Sequence, residues 1–500
     1  MIVPTIPQFF KDKEIFITGG SGFVGKALIE KILRSCPDFK VIYLLLREKK
    51  GKPIEERLDD ILQNELFSLV REKNPKAFKK VVAVSGDVSQ LQLGLNESDK
   101  QLVLRSEIVF HVAASVRFDD SIKKATLMNT RGTRETMELM LQMPNLVVGV
   151  HVSTTYCNTD KDVIEEKVYR NHGDWREAIK LAENYNDDYE FASLTEKCLG
   201  GLRNTYLYTK HLAENIVEDY SDRLPLVLYR PGIVVCPWKE PIPGWFDNMN
   251  GPIALNIAGA KGLLRVMYTG PKVVLDYIPV DVIIKGLLVA TWNKVTERDP
   301  QRNLPVYNCS VYNKFVINQE RAYKIGIEVN SKMPFRTFWY PRCTFIGSWT
   351  KFWLLFFFYN IIPGFFVDNI LKITGHKPIL MKILRKIYVA ILAVGYFTNR
   401  NWDFKSDNFW DSLQNLLPED RNDFDYDMKT FDAYEFAWNV RIGSSKYLLK
   451  EPENPKEYKR IFKRNKIIYY TIVYALLGTL VYLVFSSRCF KSIVKDYIAL

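Results

Sequence analysis

The sequence predicts an α/β protein: a doubly wound parallel sheet, then a mainly helical C-terminal domain, then a single membrane-spanning helix. Three observations predict it. Short, near-continuously apolar runs alternate with helical patterns along the first half of the chain, as strands of a parallel sheet covered on both faces require. A glycine-rich turn separates the first run from the first helical pattern. Near the end, 19 residues (467–485) carry neither a charge nor a proline. At about 1.5 Å rise each they match the roughly 30 Å hydrocarbon thickness of a bilayer.

The first strand is EIFIT, residues 14–18. Gly19-Gly20-Ser21-Gly22-Phe23-Val24-Gly25 follows, then the helical pattern KALIEKIL. Strand, glycine turn and helix form the context of a dinucleotide fingerprint. Gly19 permits the tight turn, Gly22 lets backbone approach a pyrophosphate, and Gly25 allows helix to pack on strand. The first helical N–H groups, with Ser21, Phe23 and Val24 around them, then face the phosphates.

The second strand, 41–46, ends in Arg47, where such a fold meets the adenosine ribose. An acid there would accept the 2′-hydroxyl of NAD, whereas Arg47 clamps a 2′-phosphate. Lys49 and Lys50 add positive field and Glu48 opposes it. NADP is therefore expected; an exposed arginine ending a strand is the other reading. Further strands are expected at 81–84, 108–112, 146–152 and 226–229. Asp87 follows the third and either accepts from the adenine amino group or caps a helix. His111-Val112-Ala113-Ala114-Ser115 closes the fourth. Small residues such as Ala113 and Ala114 let a cofactor lie against backbone, or pack a helix.

Tyr206-Leu207-Tyr208-Thr209-Lys210 lies in NTYLYTKHLAENIVEDY, a helical pattern that puts Tyr206 and Lys210 on one face. A nearby ammonium favours the phenolate, lowering the tyrosine pKa and making a better proton donor to a carbonyl that gains hydride. A second match, Tyr268 to Lys272, contains Gly270-Pro271 and cannot be helical. The strand at 146–152 runs into Ser153-Thr154-Thr155, whose hydroxyls either donate to the same carbonyl oxygen or cap the next element.

Composition narrows the class. Five hundred residues suit two or three units. With 47% hydrophobic and 25% charged residues, general disorder is excluded. Seven cysteines without a C-x-x-C pair favour a reducing compartment and argue against structural zinc. None of the five histidines forms an i,i+4 helical pair, so no metal is expected. The net charge of +12 suits an anionic ligand, nucleic acid or an acidic membrane surface.

Residues 446–466 hold eight Lys or Arg against three Glu, while only Arg488, Lys491, Lys495 and Asp496 follow the apolar run. The positive-inside bias therefore leaves the N-terminal portion in the cytosol, with a short tail across the membrane. A second apolar run, 352–367, is interrupted by Pro363-Gly364, which fits a buried or interfacial helix better than a span. A third, 387–397, is shorter. Both either rest on the membrane surface or line an apolar tunnel. The expected divisions are 1–345, 346–448, a basic linker at 449–466, the span at 467–485, and a tail at 486–500.

The TGGSGFVG turn, the Ser/Thr strand end and YxxxK resemble an extended short-chain dehydrogenase/reductase with a Rossmann-type sheet. More narrowly, FHVAASVRF (110–118), HVSTTYCN (151–158), NTYLYTK (204–210), LYRPGIV (228–234) and DYIPVD (276–281) resemble the fatty acyl-CoA reductases. The likeness continues through Gly375-His376-Lys377-Pro378 and Tyr396-Phe397-Thr398, similar to that family's C-terminal helical domain. It implies reduction of a long-chain acyl-CoA to a primary alcohol with two NADPH. Tyr206 is then the proton donor, Lys210 its partner and ribose ligand, and Thr154 the carbonyl hydrogen-bond donor, with Ser153 the alternative. Cys157 is expected to pack rather than act as a nucleophile.

Residues 167–175 and Arg203 stand where that family often carries prolines, which leaves acyl specificity open. The implied partners are acyl-CoA and membrane lipid, not nucleic acid. A membrane-anchored alcohol dehydrogenase of steroid type and a non-catalytic NADP-binding scaffold are the other readings. The endoplasmic reticulum is preferred over the peroxisome.

Overall fold

The computed structural model describes residues 3–48, 51–185, 195–296, 303–312, 314–452 and 454–486. Lys49, Lys50 and the charged residues after position 486 lie outside the described residues. The chain forms two compact units, each discontinuous in sequence. One comprises Met1–Gly251, Val273–Asn318 and Arg400–Asp432; the other comprises Pro252–Lys272, Gln319–Asn399 and Ala433–Leu500.

The first unit is built on a seven-stranded sheet: β1 (Glu14–Thr18), β2 (Val41–Leu46), β3 (Val81–Ser85), β4 (Ile108–His111), β5 (Val148–Val152), β6 (Leu226–Pro231) and β7 (Val306–Cys309). Its order is β7-β6-β5-β4-β1-β2-β3, with every pairing parallel. From β1 the chain winds outward to β3, then returns to β4 on the other side of β1. That reversal is the switch point of a doubly wound sheet, where ligands bind outside the carboxyl ends of the strands.

Four helices of this unit position the site or its core: α1 (Phe23–Ser35), α2 (Ile54–Leu62), α3 (Thr205–Tyr220) and α4 (Val280–Val295). On α1, Leu28, Ile29, Ile32 and Leu33 are fully buried, each worth about 1.5–3 kcal/mol. β4 and β5 are a residue or two shorter than the apolar runs suggest, and β7 is a strand that periodicity missed. The segment Arg400–Asp432 joins this unit through polar ties. The Glu166 carboxylate accepts from the backbone N–H of Asn308 at 2.9 Å and of Asn408 at 2.7 Å. The Trp410 indole donates to the Ser310 carbonyl at 3.0 Å.

The second unit is mainly helical. It includes α5 (Trp349–Phe356), α6 (Ile362–Ile373), α7 (Leu380–Thr398) and α8 (Pro455–Ser486). A π-turn, Phe357–Ile361, joins α5 to α6, so the helix runs on from Trp349 to Ile373. Pro363-Gly364 therefore does not break it. The proline falls in the first turn of α6, and the wider turn ahead of it accommodates the donor it lacks. The basic stretch from Lys456 to Lys466 and the apolar run after it form one helix, α8. The segments Trp349–Ile373 and Pro455–Leu483 are both long and apolar enough to cross a membrane.

Candidate active site

The glycine turn shows why three glycines stand there. Gly19 has φ +77°, and a Cβ on it would come within 2.5 Å of the Ala113 nitrogen. A Cβ on Gly25 would lie 2.4 Å from the Gly19 carbonyl oxygen. Gly22 is exposed and caps α1 with no side chain over its first N–H groups. Those groups, unsatisfied within the helix, present a bare positive dipole end. Ser21 is exposed beside them, while Phe23 and Val24 are half-buried in the first turn. The Phe23 ring stacks on Trp245 at 5.1 Å, so Phe23 can offer a phosphate only its backbone N–H.

Arg47 is exposed at the end of β2, its guanidinium 3.5 Å from the Asp87 carboxylate. The other Asp87 oxygen accepts from the Ser89 N–H and hydroxyl at 2.9 and 2.8 Å. Asp87 thus shapes the turn after β3 and also faces Arg47. Arg57 on α2 donates to the Arg47 carbonyl, bringing a second guanidinium to this strand end. Ala113 and Ala114 are half-buried at the end of β4, and the Ala113 N–H donates to the Thr18 hydroxyl at 3.3 Å. A bare helix end, a cradle that side chains would fill and an arginine at the second strand fit a phosphorylated dinucleotide.

α3 is set against β5. Asn204 caps it, its side chain accepting from the Leu207 N–H at 3.0 Å. Thr209 fixes it to Asn129, whose amide donates to the Thr209 hydroxyl at 3.0 Å. Tyr206, Lys210 and Glu214 then follow at four-residue spacing on one face. Tyr206 faces the Thr154 hydroxyl, which accepts from the Tyr156 N–H at 3.3 Å. Lys210, 1% exposed, donates to the Val152 carbonyl at 2.6 Å and lies 3.2 Å from His151 Nε2. Glu214 accepts from the Cys157 thiol at 3.1 Å and from Arg230 of β6. The Ser153 hydroxyl faces Cys157 and Glu214.

Electrostatics follow from burial. Desolvation lowers the Lys210 ammonium to about 8, with Glu214 and Cys157 opposing the shift. The Tyr206 phenol moves the other way from the sequence-based expectation: burial raises it well above the usual range, and the Thr154 hydroxyl offsets part of the rise. Cys157 and Glu214 add to the rise. Burial, with Glu214 second, holds the Cys157 thiol protonated. It is no thiolate nucleophile.

Comparison with known proteins settles the kinship. An NAD-binding family described as male sterility protein matches residues 17–287, and a second family of that description matches 359–451. The chain is 35% identical over 474 residues to fatty acyl-CoA reductase 1 of Rattus norvegicus, covering 93% of this chain and 90% of that protein. It belongs to the fatty acyl-CoA reductase family. The Drosophila melanogaster fatty acyl-CoA reductase wat is 34% identical, with 95% and 92% covered. Among solved structures, the terminal R domain of the myxalamid biosynthetic pathway superposes with a TM-score of 0.60 at 18% identity, over 89% of this chain and 93% of that one. That likeness shows the parallel-sheet α/β fold.

In this reductase four contributors escaped sequence reasoning: Arg57, His151, Glu214 and Arg230. Glu214 carried a usable signal, an acid one turn beyond Lys210 on the tyrosine face. The others are brought in by tertiary packing alone.

Proposed function

We propose that this reductase converts a long-chain fatty acyl-CoA to the primary alcohol, using two NADPH and passing through the aldehyde. The observation that carries the reading is the placing of Tyr206 and buried Lys210 on one face of α3 against the end of β5, where Lys210 holds the Val152 carbonyl and Tyr206 faces the Thr154 hydroxyl. Two O–H donors at one spot stabilise an oxygen that gains negative charge, and more strongly where water is excluded. NADPH, held by Gly19, Ser21, Gly22, Phe23, Val24 and Gly25, with Arg47 at its 2′-phosphate and Asp87, Ala113 and Ala114 about its nucleoside, supplies hydride when bound.

Tyr206 gives its proton to the substrate carbonyl oxygen, and Thr154 donates a second hydrogen bond to it; Ser153 is the alternative donor. Lys210 supplies positive charge that favours the phenolate left behind, and its ammonium holds the ribose hydroxyls. In the first round the thioester carbon gains one hydride and its oxygen the Tyr206 proton; as the C–S bond breaks the hydroxyl gives that proton up and the CoA sulfur takes one, leaving as the thiol and giving the aldehyde. In the second the aldehyde carbon gains a hydride and its oxygen keeps the Tyr206 proton as the alcohol. Each round consumes one hydride and one proton.

The same reading takes 467–485 as a membrane span, with the basic stretch before it on the cytosolic side and the sheet unit in the cytosol. It is supported by the helix Pro455–Leu483, whose apolar stretch is uncovered. Anchoring suits an acyl chain that gains about 0.8 kcal/mol per buried CH₂ in lipid. The endoplasmic reticulum is favoured over the peroxisome. Palmitoyl-CoA turnover by the full chain tests the activity: two NADPH oxidised per hexadecanol formed, abolished by Tyr206→Phe in a folded preparation. Turnover with a sterol alone, or NADPH binding without turnover, overturns it.

A further inference from the structure

The helix Trp349–Ile373 has two unlike faces. Phe352, Phe356, Asn360, Gly364 and Asp368 recur every fourth residue and are buried. Phe352 and Phe356 enter a core with Leu384, Ile387 and Ile391 of α7 and with Val266. The Asn360 amide donates to the Leu263 carbonyl at 2.7 Å. Asp368 caps α7, accepting from the backbone N–H of Ile379, Leu380 and Met381 at 3.1, 2.9 and 2.9 Å. A Cβ on Gly364 would lie 2.5 Å from Leu384. One face is therefore committed to protein along its whole length, which a helix ringed by lipid cannot be.

The opposite face is apolar and uncovered. Trp353, Phe358, Phe365, Phe366, Ile370 and Ile373 are all exposed, Phe366 by 61% and Ile373 by 85%. A patch of this kind on a soluble surface marks an interaction site. Charge indicates its partner. Between residues 349 and 399 stand six exposed basic residues, Lys351, Lys372, Lys377, Lys382, Arg385 and Lys386. The only acid in that span, Asp368, is engaged by the cap. Aromatic and aliphatic residues on one side with a lysine–arginine border match an anionic lipid surface.

The hairpin is also tied to the base of α8. Arg265 donates to the Tyr359 carbonyl at 3.0 Å and lies over the Trp339 ring at 5.1 Å. Next to Trp339, Tyr340 packs against Phe462 and Tyr469 of α8 at 5.6 and 5.4 Å. Where the apolar run of α8 begins, the uncovered aromatic face belongs to the same packed body.

We infer that the hairpin 349–398 is a second, non-spanning membrane contact: its aromatic face lies in the headgroup–acyl boundary of an anionic bilayer, beside the α8 anchor. The inference rests on the membrane attachment proposed above, and the test separates the two. The full-length chain, with Cys198, Cys343 and Cys489 replaced by Ser, is labelled with the environment-sensitive dye NBD at Phe366→Cys or Ile373→Cys, or at exposed Glu328→Cys as control. It is then added to vesicles of equimolar phosphatidylcholine and phosphatidylserine. Flotation with the vesicles reports the anchor.

The hairpin labels should brighten and shift to the blue, and headgroup-proximal spin-labelled lipid should quench them more than chain-end spin-labelled lipid. The Glu328 label should respond to neither. Flotation without quenching leaves the anchor standing and overturns the hairpin contact. Stronger quenching by the chain-end probe makes the segment a span, and self-quenching between labelled copies makes the face a dimer interface; either result overturns the inference. Failure to float overturns both readings.

Discussion

Glu214 grips Arg230 with both carboxylate oxygens, accepting from Nε at 2.8 Å and from Nη2 at 2.7 Å, in a pair sealed from solvent. The pair links α3, which carries Tyr206 and Lys210, to β6. Arg230 also donates to the carbonyls of Glu165 and Lys167 at 3.1 and 2.8 Å, so the charge anchors the segment after Thr154 as well. Removing one partner strands a buried charge, at a cost of about 3–5 kcal/mol. Glu214→Ala is therefore expected to lower the unfolding midpoint of the solubilised full chain steeply. Glu214→Asp should recover most of it. Because Glu214 acts through position, its activity loss should appear in kcat more than in KM for acyl-CoA.

Lys210 sets a pH dependence. Its folded value is lowered to about 8 from 10.5, so the ammonium proposed to support Tyr206 is lost as pH rises past about 8. The kcat/KM profile is expected to fall on its alkaline side there, and Lys210→Arg should move that limb upward because guanidinium stays charged. The stability sign is the reverse. Between pH 8 and 10.5 the unfolded chain binds the proton and the folded chain has released it, so this group makes folding more favourable as pH rises through that window. Below pH 8 both states are charged and the cost of burying the ammonium is fully present. A pH–rate profile with a parallel thermal melt series checks both directions.

The sheet was legible because parallel strands buried on both faces read as apolar runs, and the glycine turn because only glycine meets its steric demands. The Tyr206–Lys210 face was legible from helical spacing. The direction of the Tyr206 shift was not, since four-residue spacing says nothing of the burial of the phenol or of Cys157 and Glu214 near it. The return of Arg400–Asp432 to the sheet unit depends on Glu166 reaching the Asn408 N–H, a contact across 242 residues with no local signature. Pro363 misled for a local reason: a π-turn before it lets a helix continue where a regular α-turn would not.

The glycine turn yields a graded mutational series. Gly25→Ala places a methyl 2.4 Å from the Gly19 carbonyl oxygen, and backbone cannot step aside there; Gly19→Ala meets Ala113 backbone at 2.5 Å with φ +77° besides. Overpacking of this kind costs about 1–3 kcal/mol, and positive φ adds to it for Gly19. Gly22→Ala would meet only the Gly19 carbonyl oxygen, at 3.2 Å. NADPH affinity, read by fluorescence titration, is expected to fall roughly tenfold or more for Gly19→Ala and Gly25→Ala. Gly22→Ala should fold normally and lose affinity only through its methyl group facing the phosphates. Unchanged affinity in all three variants would mean that the dinucleotide does not use this turn.

In the proposed site, coenzyme choice turns on the second strand end. Arg47 stands 3.5 Å from Asp87 with its side chain 54% exposed, so the ion pair itself is weak and screened. The guanidinium is thus available to a 2′-phosphate, whose charge-assisted hydrogen bonds are worth about 1.5–3 kcal/mol before solvent screening. Arg47→Ala is expected to raise KM for NADPH about tenfold while leaving KM for NADH nearly unchanged. Asp87→Asn, which removes the competing carboxylate charge but keeps an acceptor for Ser89, should move the ratio the other way. Arg57, which donates to the Arg47 carbonyl, should contribute a smaller part of the same preference, so Arg47→Ala/Arg57→Ala is expected to narrow the NADPH-to-NADH ratio further than the single change. Steady-state kinetics with both coenzymes decide it: a ratio unmoved by Arg47→Ala would place the 2′-phosphate elsewhere.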